Sequence, residues 1–309
     1  MTKHNVISLS GGKDSTAILL LAIERGVPNI KPVFADTGHE HKITYEYVQY
    51  LNDKVHPVTI VKADFSDDIE SRRKFLQEIV DGTRVDNRGK RRWDAESAAN
   101  ALEKLHPTGN AFLDLCLLKG MFPTTVFRFC SEKLKRNPVM EQVLMPMMED
   151  GNVIWNWQGI RADESASRAK LPELDEVGGG LWNYRPILKW TAEDCFAIHR
   201  KHNVEPNPLY KMGMSRVGCM PCIHARKDEL LEIGRRFPQE LSRVQQWEEM
   251  VSSVQKPGAS GATLFHKSRG GTIWQAVEWS KTSKGGKQID ILRNESDGPM
   301  CSSIYGLCE

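Results

Sequence analysis

No stretch of the 309 residues approaches the roughly 20 consecutive apolar positions that a membrane-spanning helix requires. The opening MTKHNVISLS also lacks the basic-then-apolar order of a secretory leader. A cytoplasmic location without membrane attachment is therefore expected. Charge of one sign is scarce as well. The 42 Lys and Arg face 40 Asp and Glu, a formal net charge of +2, so any anion-binding footprint has to be local. The seven cysteines are odd in number and irregularly spaced, which does not describe a disulfide framework. In a reducing compartment such residues more often bind metal or react. No internal repeat is present. With 40% hydrophobic residues, the chain can bury one large core with an appendage, or two smaller ones.

What the sequence does contain begins with a strand, a loop and a helix. Asn5 to Leu9 (NVISL) is a short apolar run, SGGKDS a tight turn, and TAILLLAIERG an apolar helix closed by Gly26. Two further apolar runs, Ile30 to Ala35 and Val58 to Val61, end at Asp36-Thr37-Gly38 and near Asp64. Strands alternating with helices imply a mainly parallel sheet covered on both faces, with ligands beyond the carboxyl ends of the strands. Residues from about 66 to 123 read as helices joined by polar loops. VIWNWQGIR, 153–161, reads as another strand that delivers Gly159 and Arg161 to the ligand edge, so the helices are an insertion between sheet strands. In WTAEDCFAIHRKH, Thr191 is a helix cap with Asp194 three residues on, and Pro206 and Pro208 stop that helix. Beyond Gln255, frequent glycine, lysine and serine predict hairpins or loops around short strands. The expected division is 1–225 for the main domain and 226–309 for a C-terminal helix and small extension.

Ser10-Gly11-Gly12-Lys13-Asp14-Ser15 combines what a phosphate site needs. Glycines let backbone N–H groups approach anionic oxygens, the loop opens a helix whose N-terminus favours negative charge, and Lys13 adds a cation. The spacing fits neither GxxxxGK[ST] nor GxGxxG. An SGG tripeptide alone is only a turn; set between a strand and an apolar helix, the full string is specific.

On this string the sequence resembles the PP-loop superfamily, which includes ATP pyrophosphatases, tRNA-thiolating enzymes and phosphoadenosine phosphosulfate (PAPS) or adenylylsulfate reductases. ADTGHEHKIT at 35–44 and GIRADESASR at 159–168 are similar to motifs of the reductase branch, and 184–222 is similar to its segment leading into a cysteine pair. The resemblance covers roughly 5–225. It implies a doubly wound α/β fold of the adenine nucleotide alpha-hydrolase-like type. It implies too that Ser10, Gly11, Gly12, Lys13, Asp14 and Ser15 hold nucleotide phosphates, that Asp36, Gly38 and Gly159 lie beside the nucleotide, and that Arg161 meets a phosphate or sulfonate. The chemistry agrees, because a guanidinium forks two oxygens of such a group and a carboxylate like Asp14 could hold Mg2+ against the polyphosphate of ATP. Each residue also has a plainer reading: Asp36 shaping a turn, Arg161 pairing with Glu164.

Cys219-Met220-Pro221-Cys222 presents two sulfurs to one metal. The resemblance adds Cys130, in RFCSEKLKRNP, as a third ligand, and with it a [4Fe–4S] cluster, with zinc as the alternative. Cys116 and Cys195 fall at apolar helical spacing and read as small core residues. Cys301 and Cys308 stand near the chain end. The reductases carry a nucleophilic cysteine in a C-terminal motif, and Cys308 in Leu307-Cys308-Glu309 occupies the matching place without the glycine and histidine that follow there.

Two enzyme readings follow, with Lys13, Asp14, Arg161 and Cys308 as catalytic residues. ATP is attacked at its α-phosphate and the adenylated acceptor is displaced by sulfur, with Mg2+, Lys13 and Arg161 stabilising charge. Or a thiolate attacks the sulfur of PAPS or adenylylsulfate, and a thioredoxin-like donor resolves the product. A third reading, of another class, takes Arg84, Arg88, Lys90, Arg91 and Arg92 as a grip on nucleic acid, with tRNA or DNA as acceptor.

Overall fold

The computed structural model describes residues 2–87 and 89–283. Six strands, β1 (Lys3–Leu9), β2 (Ile30–Asp36), β3 (Thr59–Lys62), β4 (Val153–Trp157), β5 (Leu174–Gly178) and β6 (Leu181–Tyr184), form one sheet in the order β3-β2-β1-β4-β6-β5. Every pairing is parallel except that of β5 with β6. Strand β1 lies at the centre. Its Val6 and Ile7 point to opposite faces and both are 0% exposed, which requires a covering layer on each side. Ile7 and Leu9 pack with α1 (Lys13–Glu24) and the helix Ala192–Lys201, whereas Val6 packs with Val33, Val61 and Ile154 under Val143 and Leu144. Burial of each such aliphatic side chain is worth roughly 1.5–3 kcal/mol. The fold is thus the doubly wound, mainly parallel α/β sheet expected.

Helix α1 is apolar nearly all round, and Ala17 to Ala22 are buried because it is sandwiched between the sheet and the helix Ala192–Lys201. That second helix starts as anticipated: the Thr191 side chain accepts from the Asp194 N–H and Asp194 answers with the Thr191 N–H. Since β1 pairs with β2 on one side and with β4 on the other, the connections leave in opposite directions, and a crevice opens beyond the carboxyl ends of β1 and β4.

The helical insertion is longer than expected. After α2 (Lys42–Lys54) and β3 come α3 (Ser66–Val80), α4 (Ala95–Lys104) and α5 (Ala111–Lys119), then a helical stretch over 129–149 that reaches β4. That stretch contains two π-helical segments, Glu132–Arg136 and Met140–Leu144. Each precedes a proline, Pro138 or Pro146, whose ring clashes with the carbonyl four residues back in a regular α-helix. These prolines hid the helix from periodicity.

Beyond the expected boundary at 225, the helices Lys227–Arg236, Pro238–Ser253 and Ile273–Ser280 share one core with the insertion. Leu76, Phe112 and Leu115 meet Leu230, Val244 and Ile273 there. The short strands expected after Gln255 are not found among the described residues, which form a 3-10 turn, Lys267–Arg269, and the helix Ile273–Ser280. Thr272 and Gln275 cap that helix reciprocally, and its Ile273, Ala276 and Val277, at helical spacing, are buried. Cys301, Cys308 and most of SKTSKGGKQ lie outside the described residues. The β5–β6 hairpin was not anticipated, because β5 is largely exposed and carries no apolar signal. No helix among the described residues is long and apolar enough to cross a membrane.

Candidate functional site

The loop Ser10 to Ser15 leaves the carboxyl end of β1, the central strand, and turns into α1 at the crevice. Its own hydroxyls shape it: the Ser10 N–H donates to Ser15 Oγ at 3.1 Å, and Ser15 Oγ donates to the Gly12 carbonyl at 3.0 Å. A distant segment finishes the job. Asn207 Nδ2 donates to the Gly11 carbonyl at 3.1 Å, the Lys13 N–H donates to the Tyr210 hydroxyl at 2.8 Å, and His199 Nε2 lies 3.2 Å from the Lys13 carbonyl. Burial lowers the pKa of His199 and raises that of Tyr210, so both stay neutral. Asn207, Tyr210 and His199 escaped sequence reasoning; the signal was the NPLY string after the helix-stopping Pro206.

Beside this loop the charged residues form a closed set. Arg161, 5% exposed, donates from Nε to Asp14 Oδ1 at 2.6 Å and from Nη1 to Asp163 at 2.5 Å. Lys13, also 5% exposed, sets Nζ 3.3 Å from Asp14 Oδ2. The Cys195 thiol donates to Asp14 Oδ1 at 3.3 Å, and burial followed by the Asp14 charge raises its pKa, keeping it protonated. Cys195 is buried, as expected, but touches the site as well. The plainer reading of Arg161 is half correct: Glu164 accepts from its backbone N–H, while the side chain goes to Asp14 and Asp163. Gly159 makes this convergence sterically feasible, since a Cβ there would lie 3.0 Å from the Asp14 carbonyl carbon and oxygen. Both Asp14 oxygens are therefore engaged.

At the end of β2, Asp36 Oδ1 accepts from the Gly38 N–H at 2.9 Å and from the Tyr45 hydroxyl at 2.7 Å, so Asp36 does shape the turn. Gly38 has φ +77 and packs against Asn110, leaving no room for a Cβ. Buried Glu40 accepts from the Thr37 hydroxyl at 2.8 Å and from Tyr45 at 3.2 Å. From here the backbone reaches the cysteine hairpin: Glu40 and Cys219 form an antiparallel bridge, and the Met220 N–H donates to the His39 carbonyl at 2.8 Å. Cys219 Sγ lies 3.7 Å from Glu40 Oε1 and 3.7 Å from Thr37 Oγ1.

Cys130, Cys219 and Cys222 come into one neighbourhood. Burial, with the Cys222 charge among the further causes, raises the pKa of Cys130 and of Cys219, and the Lys135 ammonium opposes that rise. Lys135, on the first π-helical segment, has its pKa raised by its neighbours, Cys219 first and Glu40 after it, against the opposing effect of burial. Cys130 and Cys219 thus favour the protonated thiol. Among the described residues no group of three or more His, Cys, Asp or Glu is arranged to hold a single metal ion, so zinc or iron–sulfur at these cysteines rests on the resemblance. Cys116 is fully buried, as expected of a core residue.

The basic loop is tied down. Its Asp86 is 2% exposed and receives Lys256 Nζ at 2.6 Å; Arg84 pairs with Glu78 at 2.7 Å. Trp93 is buried, and Arg88 lies outside the described residues. This arrangement anchors a surface loop and leaves Lys90, Arg91 and Arg92 exposed.

The model of the phosphoadenosine phosphosulfate reductase domain matches residues 4–225. An uncharacterized 37.8 kDa protein of Escherichia phage 186 is 47% identical, over 99% of this chain and 96% of that one. The phosphoadenosine 5'-phosphosulfate reductase of Buchnera aphidicola is 23% identical over 75% of each chain. Among crystal structures, the phosphoadenylyl-sulfate reductase of Candida auris in a phosphate complex aligns with a TM-score of 0.41 and 16% identity, over 70% of this chain and 81% of that one.

Proposed function

Because the chain belongs to the phosphoadenosine phosphosulfate reductase domain family, we propose that it binds an adenine nucleotide at the Ser10 to Ser15 loop and acts on the sulfur of a sulfonucleotide. One observation carries this reading: the CxxC hairpin is bonded by the Met220 N–H to the His39 carbonyl, in the same motif whose Asp36 and Gly38 border the crevice, so thiols and anion-binding loop share one edge of the sheet. Lys13 and Arg161 supply positive charge for the phosphates and sulfonate. To do so they have to be drawn off Asp14 by the ligand, an exchange of one anion for another.

In the reaction proposed, a cysteine thiolate attacks the sulfonate sulfur and the bond from that sulfur to the nucleotide's phosphate oxygen breaks. The nucleotide leaves with the electron pair, and the sulfonate stays on the cysteine. A dithiol donor of the thioredoxin type then reduces that S-sulfocysteine and releases sulfite. Cys308 is the nucleophile implied by family resemblance. Iron or zinc on Cys130, Cys219 and Cys222 rests on resemblance alone, and no step is assigned to it.

The test is anaerobic incubation with PAPS, adenylylsulfate or ATP in the presence of a dithiol, with sulfite and pyrophosphate assayed separately. Sulfite from a sulfonucleotide, abolished by Cys308→Ser, is the expected result. Pyrophosphate from ATP without sulfite would transfer the assignment to adenylation and sulfur transfer. Iron, zinc and acid-labile sulfide measured on the same protein decide the metal question.

A further inference from the structure

The two residues inside the cysteine hairpin are held from outside it. Between Cys219 and Cys222 the backbone of Met220 and Pro221 offers one N–H and two carbonyls, because proline has no N–H. The Met220 N–H donates to the His39 carbonyl at 2.8 Å, the Met220 carbonyl accepts from Arg243 Nη2 at 3.2 Å, and the Pro221 carbonyl lies 3.0 Å from His39 Nε2. All of these groups are engaged by the same two residues. A carbonyl only accepts, so Nε2 carries the imidazole proton, and Nδ1 is left as the acceptor that faces Arg243 Nη2 at 3.4 Å.

Arg243 is itself built into place. Glu240, Arg243 and Trp247 are spaced three and four apart on the helix Pro238–Ser253, which puts them on one face. The Glu240 carboxylate lies 2.5 Å from Arg243 Nη2, and the guanidinium sits 4.8 Å from the centre of the Trp247 ring. Trp247 meets His39 at 5.1 Å and His39 stacks on Phe112 at 4.3 Å, both between ring centroids. The clamp is therefore anchored in the core that the insertion shares with the C-terminal helices. Its bonds end on backbone carbonyls, whereas the Cys219 sulfur faces Glu40 and Thr37 at 3.7 Å. Backbone and sulfur have separate holders.

We propose that Arg243, together with His39, is a positioning residue for Cys219 and Cys222: it fixes the peptide between them and so sets where the two sulfurs stand at the sheet edge. The proposal rests on the reading that these thiols serve the nucleotide site. It adds to that site the helix Pro238–Ser253, which lies beyond the matched domain at 4–225. Arg243 acts through the hairpin and touches no reacting atom.

The experiment is timed iodoacetamide alkylation of the reduced full chain under native conditions, read cysteine by cysteine by peptide mass spectrometry. Iron and zinc are measured on each preparation so that rates are compared at equal occupancy. Cys219 and Cys222 are half-buried, whereas Cys116 and Cys195 are buried in two different cores and report on unfolding there. Arg243→Met keeps the apolar stem and removes the guanidinium. Loss of a charge-assisted hydrogen bond raises the population of the opened hairpin, so Cys219 and Cys222 are expected to react about tenfold faster while Cys116 and Cys195 keep the parent rate. Arg243→Gln, a milder change, is expected to act in the same direction. Unaltered rates at Cys219 and Cys222 overturn the proposal. So does a rise at all four cysteines together in both variants, which would make Arg243 a residue of the fold alone. No nucleotide enters this assay, so either failure leaves the sulfonucleotide reading to its own sulfite test.

Discussion

The Lys13 backbone N–H donates to the Tyr210 hydroxyl at 2.8 Å, across 197 residues of sequence. In a glycine loop at a helix start, that N–H is one of the donors that would otherwise face an anion. Tyr210 is held against Phe196 edge to face, ring centroids 5.5 Å apart, so its hydroxyl has little freedom to withdraw.

Tyr210→Phe is accordingly expected to lower stability by about 1 kcal/mol through the lost hydrogen bond while tightening nucleotide binding, since the Lys13 N–H no longer has to be released. Calorimetric unfolding and nucleotide titration on the same protein measure both. Weaker binding in the variant would mean that the hydroxyl is itself a ligand contact.

Arg161 and Asp14 are expected to be energetically coupled. Arg161→Ala leaves a half-buried carboxylate with Lys13 and a thiol for company, a cost of about 1–3 kcal/mol after allowing for the partial exposure of Asp14. Asp14→Asn in the same chain should recover part of that loss. A double-mutant cycle returning no coupling would show that the pair contributes nothing to the fold. Nucleotide affinity should fall in Arg161→Ala and stay low in the double variant.

Gly159→Ala tests the close approach of the β4 loop to α1. The added Cβ meets Asp14 backbone at 3.0 Å, where neither partner is a flexible side chain, so the loop has to move, at about 1–3 kcal/mol. Gly218→Ala, with nothing within 4 Å and an ordinary φ, should be nearly neutral in the same unfolding assay. Equal effects at the two sites would remove the packing explanation.

The pH dependence of stability should carry the signature of His39. Its ring is stacked on Phe112 at 4.3 Å, and burial, followed by the nearby Arg243 charge, lowers its pKa to about 3. The unfolded chain takes up a proton near the ordinary value of about 6.5. Between these two values the unfolded state binds more protons, so stability falls as pH falls, by about 1.4 kcal/mol per pH unit from this group, and is fully retained above the unfolded value. Denaturant unfolding between pH 7 and 5, ahead of most carboxylate titration, should show a slope of this sign that is reduced in His39→Gln, the remainder coming from His199, His41 and His224, whose pKa values are also lowered. A slope unchanged by the substitution would assign it to these other groups.

Much of the sheet was legible because its strands are short apolar runs followed by glycine or aspartate, and because Val6 and Ile7 both had to be covered. The Thr191 cap was legible from two residues alone. The helical stretch 129–149 was not, because Pro138 and Pro146 contradict a helix unless the turns before them widen, a backbone adjustment that no local pattern announces. The final helix was hidden in the same way by the glycines around it, and only Ile273, Ala276 and Val277 meeting the core decide it.

By itself the sequence determined the glycine loop between the first strand and helix, the strands β1 to β4 and the family, since these depend on adjacent residues and on backbone chemistry. Only the tertiary structure decided which groups meet there. Asp14 takes its partners from Arg161 and Cys195, and the loop takes its supports from Asn207 and Tyr210. These contacts join segments roughly 150 to 200 residues apart, and burial there forces each polar atom to find whichever partner the packing brings within reach.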